Sequence, residues 1–395
     1  MGETWVRGRL VTTAGVVDDG LVLVAGARIG YVGPAAPDLG GDGTGGPPTL
    51  VEAPPDGFVL PGLVDLHDHG GGGGSFGEAD PASAARAADE HLRHGTTSVV
   101  ASTVTHAPDA MLAAVATCAD AADSGRVRAV HVEGPFLNPA RCGAQDPTHL
   151  RAPDVGLARD LLAAGRGHVR VMTVAPELPG AGALVGALLE DGVVPAVGHT
   201  EASPGAVRRT LADTHAALGR PGLVTHLFNG MPPLHHRAPG PVAGALAAAA
   251  AGEAVVELVA DGVHLADDTV RMVLALLGPD RVALVTDAMA AAGMPDGSYP
   301  LGPRRVRVEE GVARLGSSAD APLAGGTAHL LDVVRRCVDA GIGLEVAVTA
   351  ATATPAAVLG FDEGHGLGAG ARADLVVTDE HLRPLRVMRA GEWTT

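Results

Sequence analysis

Apolar, β-branched runs alternate with helical patterns through the middle of this chain. The runs are residues 58–67, 96–103, 127–133, 169–175, 193–199, 222–226, 254–261 and 281–287. Segments with apolar residues spaced three and four apart follow most of them, and the predicted helices are residues 81–94, 181–190, 206–218, 267–277 and 327–340. Eight strand–helix units in about 300 residues predict an α/β fold built on a closed parallel (β/α)₈ TIM barrel.

An open, doubly wound sheet is the alternative architecture. Its fingerprint is a glycine-rich turn that leads from the first strand into a helix and binds a dinucleotide. The first run of this chain ends instead in the sequence His67, Asp68, His69. The barrel is therefore the favoured interpretation.

Short strand patterns with Gly and Pro turns occupy both ends of the chain. They are residues 5–10, 21–25, 28–32 and 50–53 at the start, and residues 373–377 and 385–389 at the end. We expect the two ends to pair, so that residues 1–57 plus 360–395 form a small β-sandwich domain and residues 58–359 form the barrel domain. Residues 38–48 are predicted to be a surface loop, and residues 299–315 a hairpin inserted after the eighth strand.

Composition narrows the classes of function. The chain of 395 residues is long enough for a barrel and a smaller domain. Its net charge of −17 argues against a nucleic-acid partner, because binding phosphate backbones requires a basic face. The longest apolar stretch, around residues 243–251, is too short to span a membrane.

The cysteines indicate a reducing compartment. Cys118, Cys142 and Cys337 are too few and too widely spaced for a disulfide framework. The start of the chain has no basic segment followed by an apolar run, so we expect no signal peptide and a cytoplasmic location. Cys142 could act as a soft metal ligand or an oxidation-sensitive thiol, or it could be an ordinary loop cysteine.

Candidate metal ligands gather at the carboxyl ends of the predicted strands, where the βα loops of a barrel open. Strands one, three, five, six and eight end in His67 and His69, Glu133, His199, His226 and Asp287, respectively. Each alone has an ordinary explanation, such as a loop carboxylate or a core histidine. Together they predict a metal site, because imidazoles and carboxylates buried at one rim are costly unless they are paired or coordinated.

This set offers only nitrogen and oxygen, which suits Zn²⁺ or Fe²⁺ first, with Mn²⁺ or Co²⁺ as alternatives. His67 and His69 share one face of their strand and can reach the same ion. The number of ions per subunit is either one or two. Either all five ligands hold two ions, or Glu133, His199 and His226 hold one and the His67–His69 pair holds a weaker second.

Two further side chains are candidates for chemistry. Asp287 is the natural general base, since from the eighth strand it can take a proton from water and return it to a departing amine. His264 follows the seventh strand by three residues and is placed to reach a substrate oxygen. A surface loop histidine is the alternative interpretation of His264.

The chain resembles the N-acetylglucosamine-6-phosphate deacetylase family of the amidohydrolase superfamily nearly from end to end. The resemblance rests on residues 60–70 (LPGLVDLHDHG), 131–138 (HVEGPFLN), 143–145 (GAQ), 198–200 (GHT), 225–231 (THLFNGM), 237–240 (RAPG), 260–264 (ADGVH), 284–289 (LVTDAM), 323–325 (LAG) and 373–377 (ADLVV).

The resemblance implies a role for each candidate. The implied main metal ligands are Glu133, His199 and His226, and the implied catalytic acid/base is Asp287. The implied contacts to the sugar or acetyl group are Gln145, Asn229, the Gly230 backbone and His264. Arg237 is implied to bind phosphate, which a guanidinium fork suits well, and in family dimers this arginine can come from the neighbouring subunit.

The resulting hypothesis is a cytoplasmic, homodimeric enzyme of amino-sugar catabolism that converts N-acetyl-D-glucosamine 6-phosphate to D-glucosamine 6-phosphate and acetate. The alternative is a related amidohydrolase acting on N-acetylgalactosamine 6-phosphate or on an N-acyl amino acid. A scaffold protein that had lost catalysis should also have lost ligands, and all six candidates are present. A sugar-binding module would have no use for a base beside an open metal site.

Overall fold

The computed structural model describes residues 3–35, 49–316, 318, 320–361 and 366–394. In chain order the strands are β1 Thr4–Thr12, β2 Gly15–Ala25, β3 Arg28–Pro34, β4 Thr49–Glu52, β5 Phe58–Pro61, β6 Leu63–Asp68, β7 Gly70–Gly71, β8 Gly74–Ser75, β9 Thr96–Thr103, β10 Ala129–Glu133, β11 Val169–Val174, β12 Val194–Val197, β13 Gly222–Val224, β14 Ala254–Leu258, β15 Val282–Leu284, β16 Gly297–Leu301, β17 Arg304–Glu309, β18 Val312–Arg314, β19 Leu375–Thr378, β20 Pro384–Arg389 and β21 Glu392–Trp393. The helices are α1 Pro81–Arg93, α2 Pro108–Asp123, α3 Val155–Ala164, α4 Ala181–Glu190, α5 Pro204–Leu218, α6 Gly240–Ala250, α7 Asp267–Leu277, α8 Leu330–Asp339, α9 Leu344–Ala350 and α10 Ala353–Leu359.

Eight parallel strands form the predicted barrel. Their order in the sheet is β6, β9, β10, β11, β12, β13, β14 and β15, which is the order along the chain. A bridge between Asp68 and Ala288 joins the two ends of this sheet. The amide of Asp287 also donates to the carbonyl of His67 at 2.9 Å across the same seam. The predicted fold class is therefore confirmed, with the barrel closing beside the candidate site.

Several helices begin where the sequence supplies a cap. Asp80 precedes α1 and its carboxylate accepts from the amide of Ala82, while Asp154 caps α3 in the same way. Ser203 caps α5, and Pro204 occupies the first helical position, where its missing N–H costs nothing. These caps set the residue at which each of these three βα loops ends. They therefore determine how many loop residues are available to form the site.

The two ends of the chain meet in a second sheet, as predicted. Its order is β21, β20, β19, β5, β1, β2 and β3, and β4 pairs with β1. Leu60 on β5 lies opposite Val376 on β19, so the C-terminal segment is inserted next to the strand that precedes the barrel. The boundaries proposed above, residues 1–57 plus 360–395 and residues 58–359, stay a prediction.

The run at residues 58–67 was predicted as one barrel strand, and this was wrong. The structure divides it into β5, which pairs in the terminal sheet, and β6, which opens the barrel. Gly62 lies at the division, and its amide donates to the carbonyl of Asp374 at 2.8 Å. A Cβ at Gly62 would lie 2.2 Å from Oγ1 of Thr97, so a larger residue would not fit where the two sheets diverge.

The insertion after the eighth strand also has one strand more than predicted. Residues 297–314 form three antiparallel strands, β16, β17 and β18, instead of a hairpin. The predicted surface loop at residues 38–48 lies outside the described residues. Within the described part of the chain, no helix combines the length and apolarity needed to cross a bilayer.

Candidate active site

A cavity of about 260 Å³ opens at the carboxyl ends of the barrel strands. The predicted site residues that line it are His69, Glu133, Gln145, His199, Asn229, His226, Gly230, His264 and Asp287. His67 is fully buried just behind this surface and contacts His69 and Asp287. The structure thus brings together all of the predicted site residues except Arg237.

The metal-ligand candidates converge on Glu133. Its Oε1 lies 3.1 Å from Nε2 of His199 and 3.1 Å from Nε2 of His226. Its Oε2 lies 3.3 Å from Nε2 of His69, and its Oε1 lies 3.6 Å from Nε2 of His67. One carboxylate therefore connects two groups of histidines, each of which could hold a cation with it.

The histidine nitrogens that face inward indicate what the cluster can bind. Nδ1 of His69 donates to the carbonyl of Ser102, and Nδ1 of His199 donates to the carbonyl of Arg141. Their Nε2 atoms therefore present lone pairs inward. Nε2 of His199 lies 3.1 Å from Nε2 of His226, and such facing nitrogens repel each other unless a cation or a proton lies between them. The donor set consequently fits a divalent cation.

Three site residues adopt backbone conformations that side-chain-bearing residues rarely use. The φ angles are +47° for His199, +28° for His226 and +47° for Asp287. Such conformations cost on the order of 1–3 kcal/mol each, and they cluster where surrounding structure imposes them for function. Here the turn at the end of each strand aims the side chain into the cavity.

The two carboxylates of the cluster are held in their charged forms. Burial opposes ionisation of Glu133, but the imidazoles of His67, His199 and His226, in their protonated forms, outweigh it and keep its pKa well below the ordinary value. Burial likewise opposes ionisation of Asp287, and protonated His67 and His69 outweigh it and lower its pKa. A cation held by the histidine lone pairs would act in the same direction as these protons. Asp287 is thus an ionised acceptor, as a general base must be.

The predicted substrate contacts surround this cluster. The amide of Gln145 donates to Oε2 of Glu133, and its oxygen accepts from the amide of Thr105 at 2.7 Å. Nδ1 of His264 lies 2.8 Å from Oδ2 of Asp261, which fixes the ring, and Nε2 has no hydrogen-bond partner among the described residues. Asp261 therefore orients the His264 ring through its contact with Nδ1.

Gly230 has a φ of +63°, and a Cβ there would lie 3.0 Å from Nδ1 of His199. The carbonyl of Gly230 accepts from the amide of Thr200 at 3.0 Å, which links this loop to the one that carries His199. Asn229 beside it donates from its side chain to the carbonyl of His226 at 3.3 Å. The backbone at Gly230 can therefore approach a ligand closely.

Arg237 does not line the cavity of its own chain. Its side chain is exposed, and its Nη1 lies 2.7 Å from Nε2 of His236. Its role in binding phosphate stays a prediction. Cys142 does not line the cavity either, although its neighbours Gly143, Ala144 and Gln145 do. All three cysteines are free, and Cys118 and Cys337 are buried.

Glu177 is a functional candidate that the sequence reasoning missed. It follows β11, the fourth barrel strand, at the same rim as the candidate metal ligands. Its carboxylate accepts from Nδ2 of Asn138 at 2.8 Å, from Oγ1 of Thr200 at 2.5 Å and from the amide of Glu201 at 2.7 Å. It therefore fastens the loop after Glu133 to the loop after His199. Its position as a carboxylate just beyond a strand was the available signal.

A second cluster, formed by Glu90, His94 and His329, has ligand-type atoms close together. The rings of His94 and His329 stack 3.5 Å apart at an angle of 9°, so their nitrogen lone pairs lie in parallel planes and do not converge. Both nitrogens of His329 contact carboxylates, Nε2 with Glu90 at 3.0 Å and Nδ1 with Asp332 at 3.2 Å. The cluster is an ion-pair network that ties α1 to α8.

The chain is similar to known proteins over most of its length. Residues 58–394 match the Amidohydrolase family. An N-acetylglucosamine-6-phosphate deacetylase of Lysinibacillus sphaericus is 33% identical over 339 residues, which cover 85% of this chain and 84% of the relative. An N-acetylgalactosamine-6-phosphate deacetylase of Escherichia coli O157:H7 is 32% identical over 97% of both chains.

Among solved structures, an N-acetyl-D-glucosamine-6-phosphate deacetylase variant of Mycobacterium smegmatis, in complex with N-acetyl-D-glucosamine 6-phosphate, superposes with a TM-score of 0.89. It is 39% identical and is matched over 99% of its length and 100% of this chain. We conclude that the chain belongs to the amidohydrolase family, because the family model matches most of its length and the relatives share its fold.

Proposed function

We propose that this chain hydrolyses the acetamide of N-acetyl-D-glucosamine 6-phosphate, releasing acetate and D-glucosamine 6-phosphate in amino-sugar catabolism. The observation that carries the proposal is the convergence of Glu133, His199, His226 and Asp287 on one cavity. The similarity to the Mycobacterium smegmatis deacetylase over the full chain supports this substrate class.

The proposed metal ligands are Glu133, His199 and His226, with His67 and His69 completing a second position. Zn²⁺ or Fe²⁺ suits these donors best, and Mn²⁺ or Co²⁺ also fits them. When bound, a divalent cation lowers the pKa of water to about 7 and polarises a carbonyl oxygen, which are the two needs of amide hydrolysis.

Asp287 is the proposed proton carrier. Its Oδ1 lies 3.4 Å from Nε2 of His69 and 3.5 Å from Nε2 of His67, so it is directed at the centre of the cluster. As an ionised carboxylate it can accept the proton of the attacking water. It can then deliver that proton to the sugar nitrogen, which leaves as an amine.

The remaining side chains bind and orient the sugar. We expect Gln145, Asn229, the Gly230 backbone and His264 to contact the sugar or the acetyl group, and in support all four line the cavity. We propose that Arg237 binds the phosphate of the neighbouring subunit's substrate in a homodimer. In support, Arg237 is exposed and lies three residues from Leu234, an apolar side chain that is 50% exposed.

A second candidate substrate is N-acetylgalactosamine 6-phosphate. It is favoured by the Escherichia coli relative, which aligns over 97% of the chain. The two sugars differ only in the orientation of one hydroxyl, which the shape of the pocket must distinguish.

The test is metal analysis of the purified protein, combined with an acetate-release assay on the 6-phosphates of N-acetylglucosamine, N-acetylgalactosamine and N-acetylmannosamine. We expect bound divalent metal, the highest kcat/KM for the N-acetylglucosamine derivative, and loss of turnover after chelation that added Zn²⁺ or Co²⁺ restores. Acetate release that survives complete metal removal, or none from any of the three sugars, would refute the proposal.

A further inference from the structure

A pair of buried polar residues lies behind Asp287 and has no part in the mechanism above. One is Asp65 on β6, the other is Thr286 two residues beyond β15, and each is 0% exposed. Neither is among the residues that line the cavity. A buried carboxylate is costly unless hydrogen-bond donors surround it, so the partners of Asp65 indicate what it holds in place.

Asp65 joins the two strands between which the barrel closes. Its Oδ1 accepts from the amide of His67 at 3.2 Å and from the amide of Thr286 at 3.3 Å, and its Oδ2 accepts from Oγ1 of Thr286 at 2.6 Å. β6 and β15 are the two ends of the strand order in the barrel sheet. At this seam the carboxylate thus takes the place of a neighbouring strand as the acceptor for two backbone amides.

The hydroxyl of Thr286 connects Asp65 to the far side of Asp287. It donates to Asp65 and accepts from the amide of Ala288 at 3.1 Å, two residues further along the chain. A hydrogen bond from a threonine hydroxyl to the amide two residues ahead closes a tight turn. Asp287 is the central residue of that turn, so the path of its backbone depends on the Thr286 side chain.

The backbone of Asp287 requires such support because it is strained. Its φ of +47° lies in the left-handed region, which a residue with a side chain keeps only when its surroundings impose it. The amide of Asp287 donates to the carbonyl of His67 at 2.9 Å, and its carbonyl accepts from the amide of Gly326 at 2.6 Å. This conformation directs Oδ1 to within 3.4 Å of Nε2 of His69. A turn released from Thr286 would relax the strain and move the carboxylate away from the cluster.

We propose that Asp65, acting through the Thr286 hydroxyl, is a positioning residue that holds Asp287 in the orientation required for proton transfer. The inference rests on the proposed function for the role of Asp287 as the base. Loss of the contact should lower kcat and leave the binding of substrate and of metal unchanged, because the hydroxyl contacts no side chain of a candidate ligand.

The test compares Thr286→Val, Thr286→Ser and Asp65→Asn with the wild type. Thr286→Val removes only the hydroxyl, whereas Thr286→Ser keeps it and should restore the kcat of the wild type. Asp65→Asn keeps one acceptor oxygen but can present N–H groups to the Thr286 hydroxyl, so its kcat should be intermediate. Thr214→Val is the matched control, because Thr214 is fully buried and its hydroxyl donates to the carbonyl of Thr210 within α5.

The kinetic readout separates positioning from a general loss of structure. We expect kcat for acetate release to fall about 10- to 100-fold in Thr286→Val, with KM and metal content unchanged. The same substitution is then made in Asp287→Asn. If Thr286 acts through Asp287, it should cost almost nothing in that background, whereas a general loss of structure would lower activity by the same factor in both.

Crystal structures give a readout that does not require activity. In Thr286→Val we expect φ of Asp287 to leave the left-handed region and its Oδ1 to lie farther from Nε2 of His69 than the 3.4 Å of the wild type. Thr286→Ser and Thr214→Val should retain both features. If Thr286→Val does not fold, Asp65→Asn serves for the same three measurements.

An unchanged Asp287 geometry in Thr286→Val, or an equal loss of kcat in the two backgrounds, would overturn the inference. A wild type that binds metal and releases no acetate would refute the deacetylase proposal alone. The crystal structures would still decide whether the Thr286 hydroxyl positions Asp287.

Discussion

Asp287 contacts His67 through both its backbone and its side chain. The amide of Asp287 donates to the carbonyl of His67 at 2.9 Å, and Oδ1 of Asp287 lies 3.5 Å from Nε2 of His67. The same pair of residues therefore closes the barrel and aligns the proposed base with the proposed ligands. Any displacement of β6 relative to β15 would disturb both.

Replacement of this base should separate catalysis from metal binding. Asp287→Asn keeps the side-chain volume but cannot carry a proton, so we expect kcat to fall about 10²- to 10⁴-fold while the metal content stays that of the wild type. Steady-state acetate release and elemental analysis measure the two effects. Asp280→Asn, an exposed aspartate in the turn that precedes β15, is the matched control. Wild-type kcat in Asp287→Asn would remove Asp287 from the mechanism.

Arg237→Ala tests how the phosphate is bound. Loss of a guanidinium that pairs with phosphate should raise KM for N-acetylglucosamine 6-phosphate by about tenfold or more and leave KM for unphosphorylated N-acetylglucosamine nearly unchanged. Arg170→Ala removes an exposed arginine at the opposite mouth of the barrel and serves as the control. Equal changes in KM for both sugars would contradict a phosphate contact.

Glu177→Ala should weaken the site indirectly. It removes three hydrogen bonds that join the loops after Glu133 and His199, and it leaves the buried Thr200 hydroxyl without the acceptor of its proton. We expect a loss of about 1–3 kcal/mol in the free energy of unfolding, together with weaker metal binding. Glu190→Ala, an exposed carboxylate at the end of α4, should change neither. The proposed link between the loops fails if denaturant melts and metal titrations of Glu177→Ala match those of Glu190→Ala.

The His329 network makes stability depend on pH. Burial opposes the charged form of His329, but contacts with Asp332 and Glu90 outweigh it and raise its pKa above the ordinary value. Since the folded-state pKa is the higher one, this stabilisation is full below about pH 6.5 and is lost as pH rises through the folded-state pKa. The other groups facing His329 are His91 and His94, whose pKa values are lowered mainly by burial.

We therefore expect the difference in Tm between wild type and His329→Gln to be larger at pH 6 than at pH 9. Thermal melts across this range measure it, with His381→Gln, an exposed histidine, as the control. A Tm difference that stays constant with pH would show that His329 does not titrate with folding.

The sequence predicted the barrel and its rim well because both follow from local patterns. Buried parallel strands appear as continuous apolar runs, and the polar residue that ends each run marks the mouth of the barrel. His199, His226 and Asp287 were found in this way, since each is the last residue of its predicted run. Local patterns do not reveal which sheet a strand joins, so the division of residues 58–67 at Gly62 was missed.

Glu177 was missed for a different reason. It lies just beyond β11, but its partners Asn138, Thr200 and Glu201 are remote in sequence. A carboxylate just beyond a strand can also be an ordinary loop residue, and the local sequence does not distinguish that from a role in linking two loops. Arg237 is the opposite case, a residue that was predicted but does not line the cavity of its own chain. Its role was implied by the resemblance, and its side chain is exposed beside His236.

The insertion of β19 between β5 and β20 has a consequence for how the protein is made. During translation, β5 emerges more than 300 residues before its neighbour β19, while β6 is covalently continuous with β5. The barrel can assemble on the ribosome, but β5 keeps one open edge until residues 375–378 leave the exit tunnel. Nascent chains stalled before that point should therefore be a preferred target of chaperones.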